Sequence, residues 1–222
     1  MNSPWLSGIR AVTFDVGGTL IEPHPSVGHV YAATAAAAGF GPWDPQELNR
    51  RFYAEWQRQI AKFDFAKASW ARLVTEALSD LGPAAHSPVL FEAIWQAFQQ
   101  PAAWRIFPDV APCLRAVKAR GIRCAVISNW DERLVPTLRN LGLAGEFELI
   151  LGSFDVGSAK PAPEIFQRAG RMLGLPAHEI LHVGDGRRED RDGAAAVGMR
   201  GVWLDRTAGP DGGIARLTDL LG

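Results

Sequence analysis

The chain has 222 residues, 47% of them hydrophobic, and 23 Lys and Arg stand against 24 Asp and Glu for a formal net charge of −1. A substantial core is within reach, but the evenly mixed charges offer no basic face for a phosphate backbone, so no nucleic-acid partner is expected. No run reaches the roughly 18 uninterrupted apolar residues of a membrane span, and the opening MNSPWLSGIR lacks a charged leader followed by an apolar block, so neither a membrane partner nor export is expected.

The first strand signal is IRAVTFD, residues 9–15, which runs into the turn Val16-Gly17-Gly18-Thr19. From residue 21 to about 105 no strand signal appears. Helical spacing instead fills residues 26–39, 44–63, 65–82 and 87–100, with Pro, Gly and Asp-Pro as punctuation between them. That stretch is too long for a crossover and reads as an inserted helical bundle. Its Trp56, Trp70 and Trp95 read as packing residues of amphipathic helices rather than as a binding platform.

Beyond it, strand and helix signals alternate. Helical patterns at 110–121, 132–142, 163–174 and 189–198 separate the strand-like runs at 123–129, 147–153, 179–185 and 200–205. Short runs rich in β-branched residues, each followed by an amphipathic stretch, are the pattern of a parallel α/β sheet. The expected fold is therefore α/β: a Rossmann-like parallel sheet core over residues 1–20 and 106–222, with a helical-bundle cap over 21–105 inserted after the first strand. The two cysteines, Cys113 and Cys124, fall in a helical and a strand-like run. They read as reduced, packed thiols, which points to the cytoplasm.

In open α/β sheets ligands bind beyond the carboxyl ends of the strands, so the polar residues there belong together. Asp15 ends the first strand, Ser128 and Asn129 end the second, Lys160 follows the third, and Asp185 ends the fourth with Asp190 five residues on. Asp15 leaves its strand into Gly17 and Gly18, a turn whose backbone can approach an anion closely, with Thr19 next to it. Ser128 offers a hydroxyl and Lys160 a point charge, both suited to a phosphate oxygen. Three carboxylates at adjacent strand ends repel one another unless a hard divalent cation sits among them, and magnesium suits an oxygen-only site. Taken singly, Asp190 also reads as an acidic residue favourable to a helix start.

The strings FDVGGTL, ISNWDERL, GSAKPAPEIF and HVGDGRREDRDGAAAVGM together resemble the four motifs of the haloacid dehalogenase superfamily, in order. The resemblance spans residues 9–20 and 105–205, and the helical insert corresponds to the small cap of that superfamily. It implies a magnesium-dependent phosphatase-like hydrolase acting on a small phosphorylated molecule. Asp15 would be the nucleophile that forms an aspartyl-phosphate, assisted by Ser128 and Lys160. Gly18, Thr19 and Asn129 would join those two in binding substrate. Asp15, the Gly17 carbonyl, Asp185 and Asp190 would hold Mg2+, with Asp190 supporting either the metal or Lys160.

One departure stands out. Phosphatases of this superfamily usually carry a second Asp, the general acid and base, where this chain has Gly17. Losing such a group costs on the order of 10² to 10⁴ in rate, so weak activity on ordinary monoesters is expected. A second departure is Gly186, where a hydroxyl residue is common. His24, between two prolines, reads as a loop residue rather than a replacement acid. Two other readings follow from Gly17: a noncatalytic descendant that keeps the phosphate site, and a 2-haloacid dehalogenase, whose departing halide needs no proton. The sequence sets no oligomeric state.

Overall fold

The chain is described by a computed structural model that covers residues 3–207 and 213–222. Its strands are β1 (Ala11–Phe14), β2 (Ile21–Pro23), β3 (Trp104–Ile106), β4 (Arg123–Ser128), β5 (Leu149–Gly152), β6 (Ile180–Gly184) and β7 (Arg200–Trp203). Its helices are α1 (Val27–Ala37), α2 (Pro45–Gln59), α3 (Lys67–Leu78), α4 (Pro88–Ala97), α5 (Val110–Ala119), α6 (Leu134–Asn140), α7 (Ser153–Val156), α8 (Pro163–Leu173) and α9 (Gly193–Ala196). Two compact units result. One comprises Met1–Ile21, Ile106–Val135 and Gly142–Gly222, and the other Glu22–Arg105 with Pro136–Leu141. Among the described residues no helix is long and apolar enough to cross a membrane.

The first unit is built on a five-stranded parallel sheet in the order β5-β4-β1-β6-β7, an α/β architecture of Rossmann type. Every residue of β1 is buried, and β4 and β6 are buried along nearly their whole length. That is why these strands read as continuous apolar runs rather than as alternating ones. Ala11, Ala125, Ile127 and Ile180 point to the face covered by α8, which presents Ile165, Phe166, Ala169 and Leu173 to them. That stripe recurs at helical spacing, opens on Pro163 and closes on Gly174 in the left-handed conformation. The chain winds outward from β1 through β4 to β5, then returns to the other side of β1 with β6 and β7. The switch in direction lies between β1 and β6, which is where such sheets open a crevice at the strand ends.

The second unit is helical, as its spacing predicts. Ser26, Asp44 and Ser87 cap the starts of α1, α2 and α4, each accepting a hydrogen bond from a backbone N–H of the first turn. Trp95 is buried, whereas Trp56 and Trp70 are half-buried and stack on each other at 5.5 Å between ring centroids. Phe63 meets both rings edge-on, at 5.2 and 4.8 Å.

One feature of the stretch from 21 to 105, and one well beyond it, were not legible in the sequence. β2 and β3 form a small two-stranded sheet where no strand signal appears. At three residues each they are too short to show a period, and they hold through each other and a Glu22–Arg105 ion pair. The helix expected over 189–198 is instead a π-helical turn, Arg187–Asp192, followed by the four residues of α9.

Candidate active site

Beyond the carboxyl ends of β1, β4 and β6 the first unit gathers its buried charge. Asp15 follows β1, its N–H donating to the Val183 carbonyl at 2.9 Å, so the carboxylate is carried on the sheet itself. Ser128 Oγ donates to Asp15 Oδ1 at 2.8 Å, and Lys160 Nζ donates to the same oxygen at 2.7 Å. Among the described residues no hydrogen bond ends on Oδ2 of Asp15. Lys160 spends its other two hydrogens on the Ile127 carbonyl at 3.0 Å and on Asp190 Oδ1 at 2.5 Å. Its side chain is 2% exposed, so this ammonium is held by the protein and not by water. Burial alone would lower its pKa, but Asp15 and Asp190 more than offset that and push it up to about 12.

Asp15, Asp185 and Asp190 each bring a carboxylate oxygen within 4.8 Å of one another. The surroundings treat the three differently. Burial raises Asp15, against the pull of Lys160. Burial would raise Asp190 too, but Lys160 and the bond from His182 hold it well below the ordinary carboxylate range. The Asp185 side chain opens to solvent, yet the protein around it, with Asp15 and Asp190, pushes it up to about 7. Loss of water around the group and the like charge of its neighbours both favour the protonated carboxyl. Three carboxylates face a single ammonium here, and a divalent cation beside Asp15 and Asp185 would relieve the excess. The oxygen-only donor set fits a hard ion of that kind.

The turn after β1 is shaped around Asp185. Gly18 has φ of +74°, and a Cβ there would lie 2.2 Å from Asp185 Oδ2, so only glycine fits. Thr19 Oγ1 accepts from the Asp185 N–H at 3.1 Å and donates to its Oδ1 at 3.4 Å. On the next loop the Asn129 amide joins the Lys160 backbone at both ends, accepting from its N–H at 2.7 Å and donating to its carbonyl at 2.9 Å. Thr19 and Asn129, expected from sequence to contact substrate, thus spend these groups on Asp185 and Lys160. Gly186 N–H donates to Asp190 Oδ2 at 2.8 Å, and a Cβ on Gly186 would approach that oxygen to 3.0 Å. This gives a local reason for the missing hydroxyl residue at that position. Asp190 does lie in the first turn of a helical segment, the π-helical turn, but it is buried there and bonded to Lys160.

Three contributors escaped the sequence reading. His182 lies on β6 opposite Thr13 of β1 in register, with Nδ1 2.8 Å from Thr13 Oγ1 and Nε2 3.0 Å from Asp190 Oδ1. The carboxylate can only accept, so Nε2 carries the hydrogen. Burial holds this ring below the usual histidine range despite the Asp190 bond. Two polar residues inside apolar strands, at positions that turn out to pair, were the available signal. Arg206 donates to the Gly18 and Thr19 carbonyls at 3.3 and 2.7 Å and grips Asp109 through two further bonds. It thereby ties the turn after β1 to the far end of the chain. Trp130 is the third, lying 3.6 Å from where a Cβ on Gly17 would stand.

Comparison with known proteins follows the same lines. The sequence model of the haloacid dehalogenase-like hydrolase family matches residues 9–198. The chain is 32% identical over 212 residues to haloacid dehalogenase-like hydrolase domain-containing protein 3 of Danio rerio, covering 90% of this chain and 87% of that protein. It is 32% identical to a phosphoserine phosphatase of Thermus thermophilus, covering 78% and 72%. Among solved structures, a 2-haloacid dehalogenase from Pseudomonas syringae pv. Tomato DC3000 superimposes with a TM-score of 0.66 at 29% identity, covering 96% of each chain.

Proposed function

The chain belongs to the haloacid dehalogenase-like hydrolase family, and within that family of hydrolases we propose that it is a magnesium-dependent phosphatase of small phosphorylated molecules, weak on ordinary monoesters. The observation that carries this reading is the sharing of Asp15 Oδ1 between Ser128 and Lys160. Those donors orient the carboxylate, and the second oxygen is left to attack phosphorus and form an aspartyl-phosphate. Ser128 and Lys160 then bind the phosphoryl oxygens, where a buried ammonium stabilises developing charge far better than an exposed one. Asp15, the Gly17 carbonyl and Asp185 would hold magnesium, with Asp190 supporting the set through Lys160. When bound, the ion supplies charge neutralisation for the phosphate. Asn129 and Thr19 keep Lys160 and Asp185 in place, and Arg206 holds the turn between them.

The test is hydrolysis of para-nitrophenyl phosphate by the purified protein in magnesium chloride. Slow turnover is expected, abolished by EDTA and by Asp15→Asn. Undiminished turnover in EDTA contradicts the reading. A second reading, a 2-haloacid dehalogenase, draws on Gly17 and on the likeness to the P. syringae enzyme. Against it, three carboxylates crowd the place where an anionic haloacid would have to bind. Chloride release from 2-chloropropionate is its direct assay, with none expected.

A further inference from the structure

Phosphoryl transfer leaves an oxygen that must either gain a proton or be stable without one, and the donors beside Asp15 serve its carboxylate in this structure and the phosphoryl oxygens in the reading above, which leaves none of them to the departing group. Lys160 spends all three of its hydrogens on Asp15, Asp190 and the Ile127 carbonyl. Ser128 spends its own on Asp15, and Thr19 donates to Asp185. Asp185, as a proposed metal ligand, serves as a carboxylate. Beside Asp15, Gly17 contributes no side chain, and within 4 Å of where its Cβ would stand the contact is Trp130 Cζ3 at 3.6 Å.

Trp130 is not there by chance of rotation alone. Its N–H donates to Ser153 Oγ at 3.1 Å, and its carbonyl accepts from both Ser153 Oγ and the Phe154 N–H at 3.1 Å. The start of α7 therefore clamps the backbone that carries the indole. Half-buried, the indole sets a ring carbon, Cζ3, beside Gly17.

We infer that Gly17 and Trp130 form a seat without a proton for the leaving group, so that this protein acts on phosphates carried by a planar, weakly basic oxygen: aryl and acyl phosphates. The inference rests on the phosphatase reading above. In the first step an Asp15 carboxylate oxygen bonds to phosphorus, the substrate's P–O bond breaks, and its electron pair departs on a phenolate or carboxylate oxygen with no proton transferred. In the second, water attacks phosphorus, the bond to the Asp15 oxygen breaks to return the carboxylate, and the proton of the water passes to solvent. That second step expels a carboxylate from an acyl phosphate, so it makes the same modest demand as the substrates named.

The experiment compares phenyl phosphate with cyclohexyl phosphate, similar in size but different in flatness and in the basicity of the leaving oxygen, using the full chain in magnesium chloride. The wild type should favour phenyl phosphate in kcat/KM by at least ~10²-fold, the lower end of what a general acid supplies. Gly17→Asp, whose Cβ meets Trp130 at ordinary contact distance, should raise turnover of cyclohexyl phosphate and narrow that ratio. Trp130→Ala should raise KM for phenyl phosphate more than it lowers kcat, and Trp130→Phe should restore KM. Equal kcat/KM for the two esters, or an unchanged ratio in a folded Gly17→Asp protein that still hydrolyses phenyl phosphate, overturns the inference and leaves the phosphatase reading standing. Turnover of neither ester, with chloride released from 2-chloropropionate, overturns both.

Discussion

The two units of this molecule handle charge in opposite ways. In the sheet unit Asp15, Lys160, His182 and Asp190 are withdrawn from water and bonded to one another. In the helical unit the cation of each described ion pair reaches solvent, as in Lys67–Glu92 with side chains 42% and 47% exposed and in Arg58, 74% exposed, beside buried Glu55, and half-buried aromatics stack on one another. Withdrawn charges cost several kcal/mol each and are rarely the cheapest way to stabilise a fold. Their concentration at three adjacent strand ends therefore points to chemistry, while the helical unit follows ordinary packing.

The sharpest way to break this contrast is to remove one partner from the buried network. Lys160→Met should cost about 3–5 kcal/mol, because it leaves Asp15 and Asp190 buried without their cation, and should abolish phosphatase turnover. Urea denaturation beside the para-nitrophenyl phosphate assay reads both; a variant as stable as the wild type would mean the charges are solvated after all. In the helical unit the large effect should come from packing. Trp70→Ala, which strips a half-buried ring from its stack with Trp56, should cost about 2–3 kcal/mol by the same denaturation.

A pH series sharpens the contrast within the sheet unit. Burial, with Cys124 and Asp109 nearby, pushes the Cys113 thiol up to about 12 from an ordinary 9.0. The folded value lies above the unfolded one, so the stabilisation is whole below pH 9 and fades as pH rises toward 12. By pH 10 Cys113 should account for about 1 kcal/mol of lost stability, measured as the difference in pH slope between wild type and Cys113→Ala. Identical slopes would show that the thiol is not withdrawn from water. The smallest effect should be Glu92→Gln, under about 0.5 kcal/mol, since its partner Lys67 is equally exposed. A cost above 1 kcal/mol there would erase the distinction between the units.

The sheet was legible because parallel strands buried on both faces leave continuous apolar runs, and each of the five central strands falls within its predicted run. The polar residues that end those strands were legible by position, and the structure brings Asp15, Ser128, Lys160, Asp185 and Asp190 together. What stayed hidden depends on register and on long loops. Thr13 and His182 face each other only because β1 and β6 pair as they do. Arg206 reaches Gly18 across 188 positions of sequence, beyond any local pattern. β2 and β3 were too short to announce themselves, and the π-helical turn at Arg187–Asp192 carries no periodic signature apart from that of a helix.

The central claim is that Asp15 is the attacking group and that it shares a magnesium ion with Asp185. A crystal structure of the protein grown with magnesium chloride and beryllofluoride tests it most directly. The account predicts a trifluoroberyllate bonded to an Asp15 carboxylate oxygen, Ser128 and Lys160 on its fluorines, and magnesium coordinated by Asp15 and Asp185. Magnesium bound elsewhere, with beryllofluoride absent from Asp15, would contradict it.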